Sequence, residues 1–161
     1  MSDAAGDDPQ RALELAYRYL NTRDRTEAEV RRHLAGNSLD TANVDWSIDT
    51  LRDQGYLDDA RFARLLAQDK RTLEGWGSDR IRRTLAARGI DRDLIDLALA
   101  DDDVPSAELD RAVEVLRRRF PAPPRERRER DRALGVLLRK GYDPELAFDA
   151  LARHASGYAG A

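Results

Sequence analysis

Residues 55–89 read GYLDDARFARLLAQDKRTLEGWGSDRIRRTLAARG, and this stretch decides the fold. Two helices fit it without strain. Asp58 is placed as an N-cap, because its carboxylate can accept amides that a first helical turn leaves unpaired. Behind it Phe62, Leu65, Leu66 and Leu73 recur at helical spacing. Gly75-Trp76-Gly77 then breaks the chain. Ser78 is placed to cap a second helix, which buries Ile81 and Leu85 and stops at Gly89 as a left-handed C′ residue. The outward side of that helix carries Arg80, Arg82, Arg83 and Arg88.

The same pattern recurs on either side of the stretch. Leu34, Leu85 and Leu137 begin equivalent spans. Four residues on stand Ser38, Gly89 and Gly141, followed by Leu39, Ile90 and Tyr142, then by Asp40, Asp91 and Asp143. Val44, Ile95 and Ala147 stay in register, as do Ile48, Leu99 and Leu151. In each span a helix ends, a small residue turns the chain, an apolar residue plugs the joint and aspartate caps the next helix. The period is 51 and then 52 residues, which suits a three-helix unit. Ser38 departs from the pattern. It is either left-handed, at a cost of about 1–2 kcal/mol, or in a different turn.

Helical signals fill in the rest. Gln10 to Asn21 carries the stripe Leu13, Ala16, Tyr17, Leu20. Thr26-Glu27-Ala28-Glu29 reads as a capping box opening a helix with Val30 and Leu34. A third helix presents Val44, Ile48 and Leu51, and Asp91 caps one with Leu94, Ile95, Ala98 and Leu99. Asp101-Asp102-Asp103-Val104-Pro105 reads as a linker. Ser106 is placed to cap a helix with Leu109, Ala112, Val113, Leu116 and Phe120, which Pro121-Ala122-Pro123-Pro124 stops. An eighth helix is expected from Pro124 to Lys140, its first two turns without an apolar residue. Asp143-Pro144 opens a ninth with Ala147, Phe148 and Leu151. The expectation is an all-α, elongated array of three tandem three-helix modules at 10–57, 58–103 and 104–153. A disordered acidic N-terminus (1–9) and a flexible tail (154–161) flank it.

Composition excludes several classes. The 161 residues contain no cysteine, which removes disulfide frameworks, zinc ribbons and thiol catalysis. No apolar run approaches the roughly 20 residues of a membrane span, and Met1 to Gln10 holds three aspartates and no base, unlike a signal or transit peptide. A soluble cytoplasmic protein is expected. His33 and His154 lie far apart without a partner at metal-binding spacing. Neither a phosphate-binding glycine loop nor a nucleophile elbow is present. No catalytic residue, metal or cofactor is expected, and the chain reads as a non-enzymatic binding protein. Asp58-Asp59 is an N-cap followed by an acid on the helix dipole.

Charge is distributed unevenly. The net charge is −3, yet Ala100 to Asp110 holds five acids and no base, and Arg117 to Lys140 holds ten bases and three acids. Such polarity favours an oriented partner or internal pairing between modules. Two arginine groups are candidate partner-binding surfaces. One is Arg80, Arg82, Arg83 and Arg88, with Arg71 just upstream and Trp76 in the loop before them. Trp76 is either an exposed interface anchor or a plug between two helices. The other is Arg125, Arg127, Arg128, Arg130 and Arg132, interleaved with Glu126, Glu129 and Asp131. It is either a self-paired solvated helix or an arm for an acidic surface or phosphate backbone.

The ordered set Gly55-Tyr56-Leu57-Asp58-Asp59, Arg61-Phe62-Ala63, Gly77, Arg80-Ile81, Leu85 and Gly89-Ile90 resembles the regulatory protein RecX family. The resemblance covers about Gln10 to Arg153 and is weakest in the acidic N-terminus. It implies a small helical protein of three tandem three-helix modules. The implied partner is the RecA recombinase filament on single-stranded DNA, which a monomeric protein of this kind modulates, usually as an inhibitor. A direct DNA-binding regulator is the rival reading, since three-helix modules can present a helix to a major groove. The sequence pI of 5.5 argues against it, and only weak direct contact with DNA is expected.

Overall fold

The computed structural model describes residues 8–100 and 104–158. Residues 1–7 of the expected disordered N-terminus and the Asp101-Asp102-Asp103 linker lie outside the described residues. Among the described residues the chain forms nine helices and no strand. They are α1 (Pro9–Leu20), α2 (Glu27–Ala35), α3 (Thr41–Asp53), α4 (Asp59–Glu74), α5 (Ser78–Ala87), α6 (Arg92–Leu99), α7 (Pro105–Arg119), α8 (Arg127–Lys140) and α9 (Pro144–Tyr158). They divide into two compact units, Met1–Ala63 with Leu85–Ile95 and Arg64–Thr84 with Asp96–Ala161, and the division passes through α4, α5 and α6.

The repeat read from the sequence has a structural counterpart at its apolar and turn positions. Leu34, Leu85 and Leu137 are fully buried, and Leu39, Ile90 and Tyr142 are buried behind them. Val44, Ile95 and Ala147 are buried, as are Ile48, Leu99 and Leu151. The turn residues share a hand: Gly89 has φ +79° and Gly141 φ +91°, and Ser38, at φ +59°, is the one non-glycine residue in the left-handed region among the described residues. Ser38 therefore carries the strain that the other two joints avoid.

In the first unit α1, α2 and α3 pack on one another around Ala12, Leu13, Ala16, Val30, Leu34, Val44, Ile48 and Leu51. Asp8 accepts the Gln10 amide and starts α1, so order begins before Gln10. The capping box at Thr26 is complete: Thr26 Oγ1 accepts the Glu29 amide, and Glu29 accepts the Thr26 amide. The fully buried Thr26 hydroxyl also donates to the Arg88 carbonyl at 2.6 Å. Asp58 caps its own helix through the Arg61 amide, whereas Asp59 accepts the Glu27 amide at 3.0 Å. The adjacent aspartates thus cap two different helices. Burial pushes the Asp59 carboxyl up, and the Glu27 amide offsets part of that.

In the second unit α7 and α8 pack on α9 and on each other around Ala112, Val113, Leu116, Ala133, Leu137, Tyr142, Ala147 and Ala150. The chain just before α5 is pressed against the end of α8. Gly77 donates to the Lys140 carbonyl at 2.8 Å, Asp79 donates to the Gly141 carbonyl at 3.1 Å, and the Tyr142 hydroxyl donates to the Gly75 carbonyl at 2.9 Å.

Three expectations are corrected. The buried face of α4 is Ala63 and Ala67; Phe62 and Leu66 are half-buried, while Leu65 and Leu73 are exposed. Small alanines let a neighbouring backbone come close, and that rotation turns two leucines outward. Phe148 is likewise exposed, since α9 buries Ala147, Ala150 and Leu151. The tail does not fray at His154. Helix α9 continues through Tyr158, and His154 is buried with Nε2 2.8 Å from the Phe120 carbonyl. Smaller shifts occur at helix starts: Gly77 rather than Ser78 precedes α5, and α8 begins at Arg127 rather than Pro124.

Glycine at 77 and 141 is expected to be obligatory. A Cβ on Gly77 would lie 2.5 Å from the Gly141 oxygen, and one on Gly141 would lie 2.2 Å from Arg80 Cβ in a left-handed backbone. Each Gly→Ala change should cost about 1–3 kcal/mol, and Ser38→Gly should add up to about 1 kcal/mol by relieving strain. Chemical denaturation reads both; an unchanged midpoint for Gly77→Ala would mean the two backbones are not in contact.

Candidate partner-binding cleft

The sequence-nominated arginines of the two groups differ in their local surroundings. Arg88 belongs to the first unit and is consumed there. Its Nε and NH2 donate to the two Glu29 carboxylate oxygens at 2.9 Å each, NH2 also reaches the Asp24 carbonyl, and the guanidinium lies 4.5 Å above the Phe62 ring. Burial alone would push the Glu29 carboxyl up. The hydrogen bonds from Arg88 and Thr26, with the charges of Arg88 and Arg23, outweigh it and hold Glu29 below its ordinary value. Arg88 is a structural clamp.

The other nominees lie in the second unit. Arg80 and Trp76 meet: the guanidinium sits 3.9 Å from the indole centroid, with Lys70 at 4.7 Å, and Arg80 also donates to the Arg139 carbonyl. The half-buried Trp76 thus has two cations close to its ring. Arg82 pairs with Asp96. Arg83 is exposed and reaches only the Asp79 carbonyl among the described residues. Arg125, Arg127, Arg128 and Arg130 are exposed around the start of α8, and among the described residues their side chains make no ion pair. Of these nominated residues, Arg71 lines a cleft in the second unit.

That cavity is a cleft of about 790 Å³ between the C-terminal half of α4, α7 and α8. Its origin is local. After Ala67 no residue of α4 is buried, and Gly75, at φ +63°, turns the chain against Val115, which a Cβ would meet at 2.8 Å. Helix α7 turns Ala112, Val113 and Leu116 into its own core. Arg111, Glu114, Val115 and Arg118 therefore line the cleft at i, i+3, i+4, i+7 spacing. Helix α8 adds Val136 and Lys140, α6 adds Ala98, and Leu73, 80% exposed, stands at the edge.

Among the described lining residues six are cations (Arg64, Arg71, Arg111, Arg118, Arg119, Lys140) and two are carboxylates (Glu74, Glu114). Both carboxylates are already matched: Lys70 pairs with Glu74, and Arg118 with Glu114 at 2.9 Å. The Lys70 hydrogen bond holds the Glu74 carboxyl below its ordinary value, with Arg80 and Lys140 adding to the effect. Lys140 Nζ donates to the Glu74 carbonyl at 2.6 Å, and Arg71 reaches the Leu99 carbonyl at 3.5 Å. Arg64 and Arg119 are exposed and make no ion pair among the described residues. The described lining is thus rich in arginine over an apolar floor. Sequence reasoning missed Arg64, Arg111, Arg118, Arg119 and Lys140. The spacing on α7 opposite Ala112, Val113 and Leu116 was a usable signal; that α4 lies beside it was not readable.

The motif GYLDD, by contrast, is absorbed into the first unit. Gly55 is left-handed, Tyr56 packs edge-on to Tyr17 at 5.4 Å, Leu57 is buried, and the two aspartates cap helices.

Comparison with known proteins agrees with this architecture. Residues 12–51 match the model for the RecX first three-helix domain, and residues 58–99 match that for the RecX second three-helix domain. "Regulatory protein RecX" of Leptothrix cholodnii is 34% identical over 91% of this chain and 92% of its own length. That of Deinococcus radiodurans is 37% identical over 86% of this chain and 66% of its own. The crystal structure of RecX from Lactobacillus salivarius superposes with a TM-score of 0.78 at 21% identity, over 92% of this chain and 97% of that one. A second crystal structure, of regulatory protein RecX, has a TM-score of 0.70 at 25% identity, over 89% and 71%. Both RecX domain models match, a relative is 34% identical over nearly the full length of both chains, and the chain belongs to the regulatory protein RecX family.

Proposed function

We propose that this chain regulates the RecA recombinase by binding its filament on single-stranded DNA, and that binding slows ATP hydrolysis, strand exchange and repressor cleavage. Membership of the RecX family is the observation that carries the reading. The chain acts by contact and not by catalysis, as a monomer in the cytoplasm. Its recurring three-helix units, which we take to number three (10–57, 58–103 and 104–153), suit a repetitive partner. Each contact with one filament subunit raises the effective concentration for the next.

Two sets of cations support a binding role. The α4–α7–α8 cleft gathers arginines in a chain of net charge −3. The exposed Arg125, Arg127, Arg128 and Arg130, with Arg83, remain candidates for contact with the partner or for weak contact with DNA. Arg88 and Arg80 are withdrawn from that role, because their guanidinium groups already hold the fold together.

Titration of RecA–single-stranded DNA filament and of naked duplex at the same, roughly physiological, ionic strength separates this function from direct DNA regulation. Filament should bind much the more tightly, and its ATPase should fall as protein is added. Tight binding to a specific duplex with none to filament would overturn the proposal. A second measurement sorts the arginines. Arg88→Ala should cost about 1–3 kcal/mol, since it strands a largely buried carboxylate, whereas Arg83→Ala should stay within about 0.5 kcal/mol. The linkage has a sign. Glu29 is held below its ordinary value, so its stabilisation is present above about pH 4.5 and is lost as pH falls through the lowered value. Glu29→Gln should remove that acid-side loss in melts taken between about pH 6 and pH 3.

A further inference from the structure

We infer that the α7–α8 turn is a contact surface for the phosphate backbone of duplex DNA, one that holds the duplex without reading its bases. The inference deepens the proposed function by assigning arginines left open there, and it rests on that reading only in taking the chain to work by contact. Charge is the first observation. Residues 117–132 hold eight arginines, at 117, 118, 119, 125, 127, 128, 130 and 132, against Glu126, Glu129 and Asp131. All eight are exposed. Arg118 pairs with Glu114, and the side chains of the other seven make no ion pair among the described residues. The interleaved acids do not answer them: Glu129 accepts the Arg125 backbone amide at 3.4 Å rather than a guanidinium. The whole chain carries −3, so its remainder is acidic, and a polyanion is steered to this turn.

Anchoring of the turn is the second observation. Pro123 is buried, and the Phe120 carbonyl lies 2.8 Å from Nε2 of the buried His154 on α9. Leu116 before the turn and Ala133 after it are fully buried. The guanidinium groups are therefore carried by a fixed backbone, which lowers the ordering cost of contact.

The third observation selects the partner. No large apolar or aromatic side chain is exposed between residues 117 and 132. Protein interfaces are anchored on such side chains at a desolvated centre, and single-strand grooves stack bases on aromatic rings. Contact here is with charge alone. Phosphates supply it without an apolar partner, and the arginine fork matches their oxygens in pairs. A duplex releases more counterions for each phosphate contact than a single strand does, about 0.9 against about 0.7.

The test measures binding of the full chain to a short mixed-sequence duplex, a second duplex of unrelated sequence, oligothymidylate and polyglutamate over a range of salt. Arg117→Gln with Arg119→Gln, and Arg127→Gln with Arg128→Gln, each remove two charges from one side of the turn. Arg18→Gln with Arg32→Gln removes two from exposed positions of the first unit. Circular dichroism melts establish that each variant folds, and either turn variant stands in for the other should one fail to fold.

The parent should bind both duplexes alike, and more weakly as salt rises. Each turn variant should reduce the slope of log affinity against log salt by about 2, since one phosphate contact contributes about 0.9. The first-unit variant should leave the slope unchanged. No duplex binding at low salt, a preference for one duplex, a slope that both turn variants leave unchanged, or tighter turn-dependent binding of oligothymidylate or polyglutamate would overturn the inference. Filament binding measured in parallel keeps the two readings apart. Turn-dependent duplex binding without filament binding sinks the RecA proposal alone, and filament binding without turn-dependent duplex binding sinks this inference alone.

Discussion

Close contact between one helix end and the start of another is the constraint on which both units depend. A helix begins with amides that have no partner and ends with carbonyls in the same condition. In the second unit these deficits cancel: amides at the start of α5 donate to the Lys140 and Gly141 carbonyls at the end of α8. The helix dipoles meet head to tail, positive end to negative end. In the first unit the Thr26 hydroxyl donates to the Arg88 carbonyl, and Ala28 fills the space that a Cβ on Gly89 would need. Residues 26 and 88 of one joint correspond to 77 and 140 of the other, shifted by 51 and 52 residues. The sequence repeat is therefore also a repeat of this contact. No side chain can stand between two backbones that share hydrogen bonds, and that is why glycine occupies 77 and 141.

The arginines illustrate how little a charge pattern says before packing is known. A guanidinium can neutralise a partly buried carboxylate, cover an aromatic ring, satisfy a carbonyl or remain in water. Arg88 does the first three at once, with Glu29, Phe62 and Asp24. Arg80 covers Trp76 and reaches the end of α8, so it belongs to the joint described above. Arg82 has found Asp96. What separates these from Arg64, Arg119 and the arginines at the start of α8 is not composition or spacing. It is the presence of an acceptor from a distant part of the chain.

The same division of labour separates what marks the family from what can meet a partner. The residues of the GYLDD motif are spent on a left-handed turn, an aromatic contact, a core position and two helix caps. They specify architecture. The cleft, in contrast, is lined by side chains that α7 and α8 turn away from their own cores, and by an α4 segment that buries nothing after Ala67. Surface left over from folding is free to carry specificity.

The sequence by itself determined the helical class, the repeat and the joints, because these follow from short-range physics. Asp40 and Asp143 cap helices, Gly89 and Gly141 turn left-handed, and the leucines at 34, 85 and 137 are buried in register. Each involves groups only a few residues apart. At Ser38 the sequence left a strained left-handed turn and a different turn both open, and the structure has the left-handed one. Tertiary structure alone decided which apolar side chains α4 and α9 conceal. Periodicity marks a stripe but not its rotation, and alanines at 63, 67, 147 and 150 took the inner positions while Leu73 and Phe148 were left outside. It also decided the fate of Arg80 and Arg88 and the existence of the cleft. Those depend on which carbonyls, rings and carboxylates arrive from dozens of residues away, and no local pattern encodes that distance.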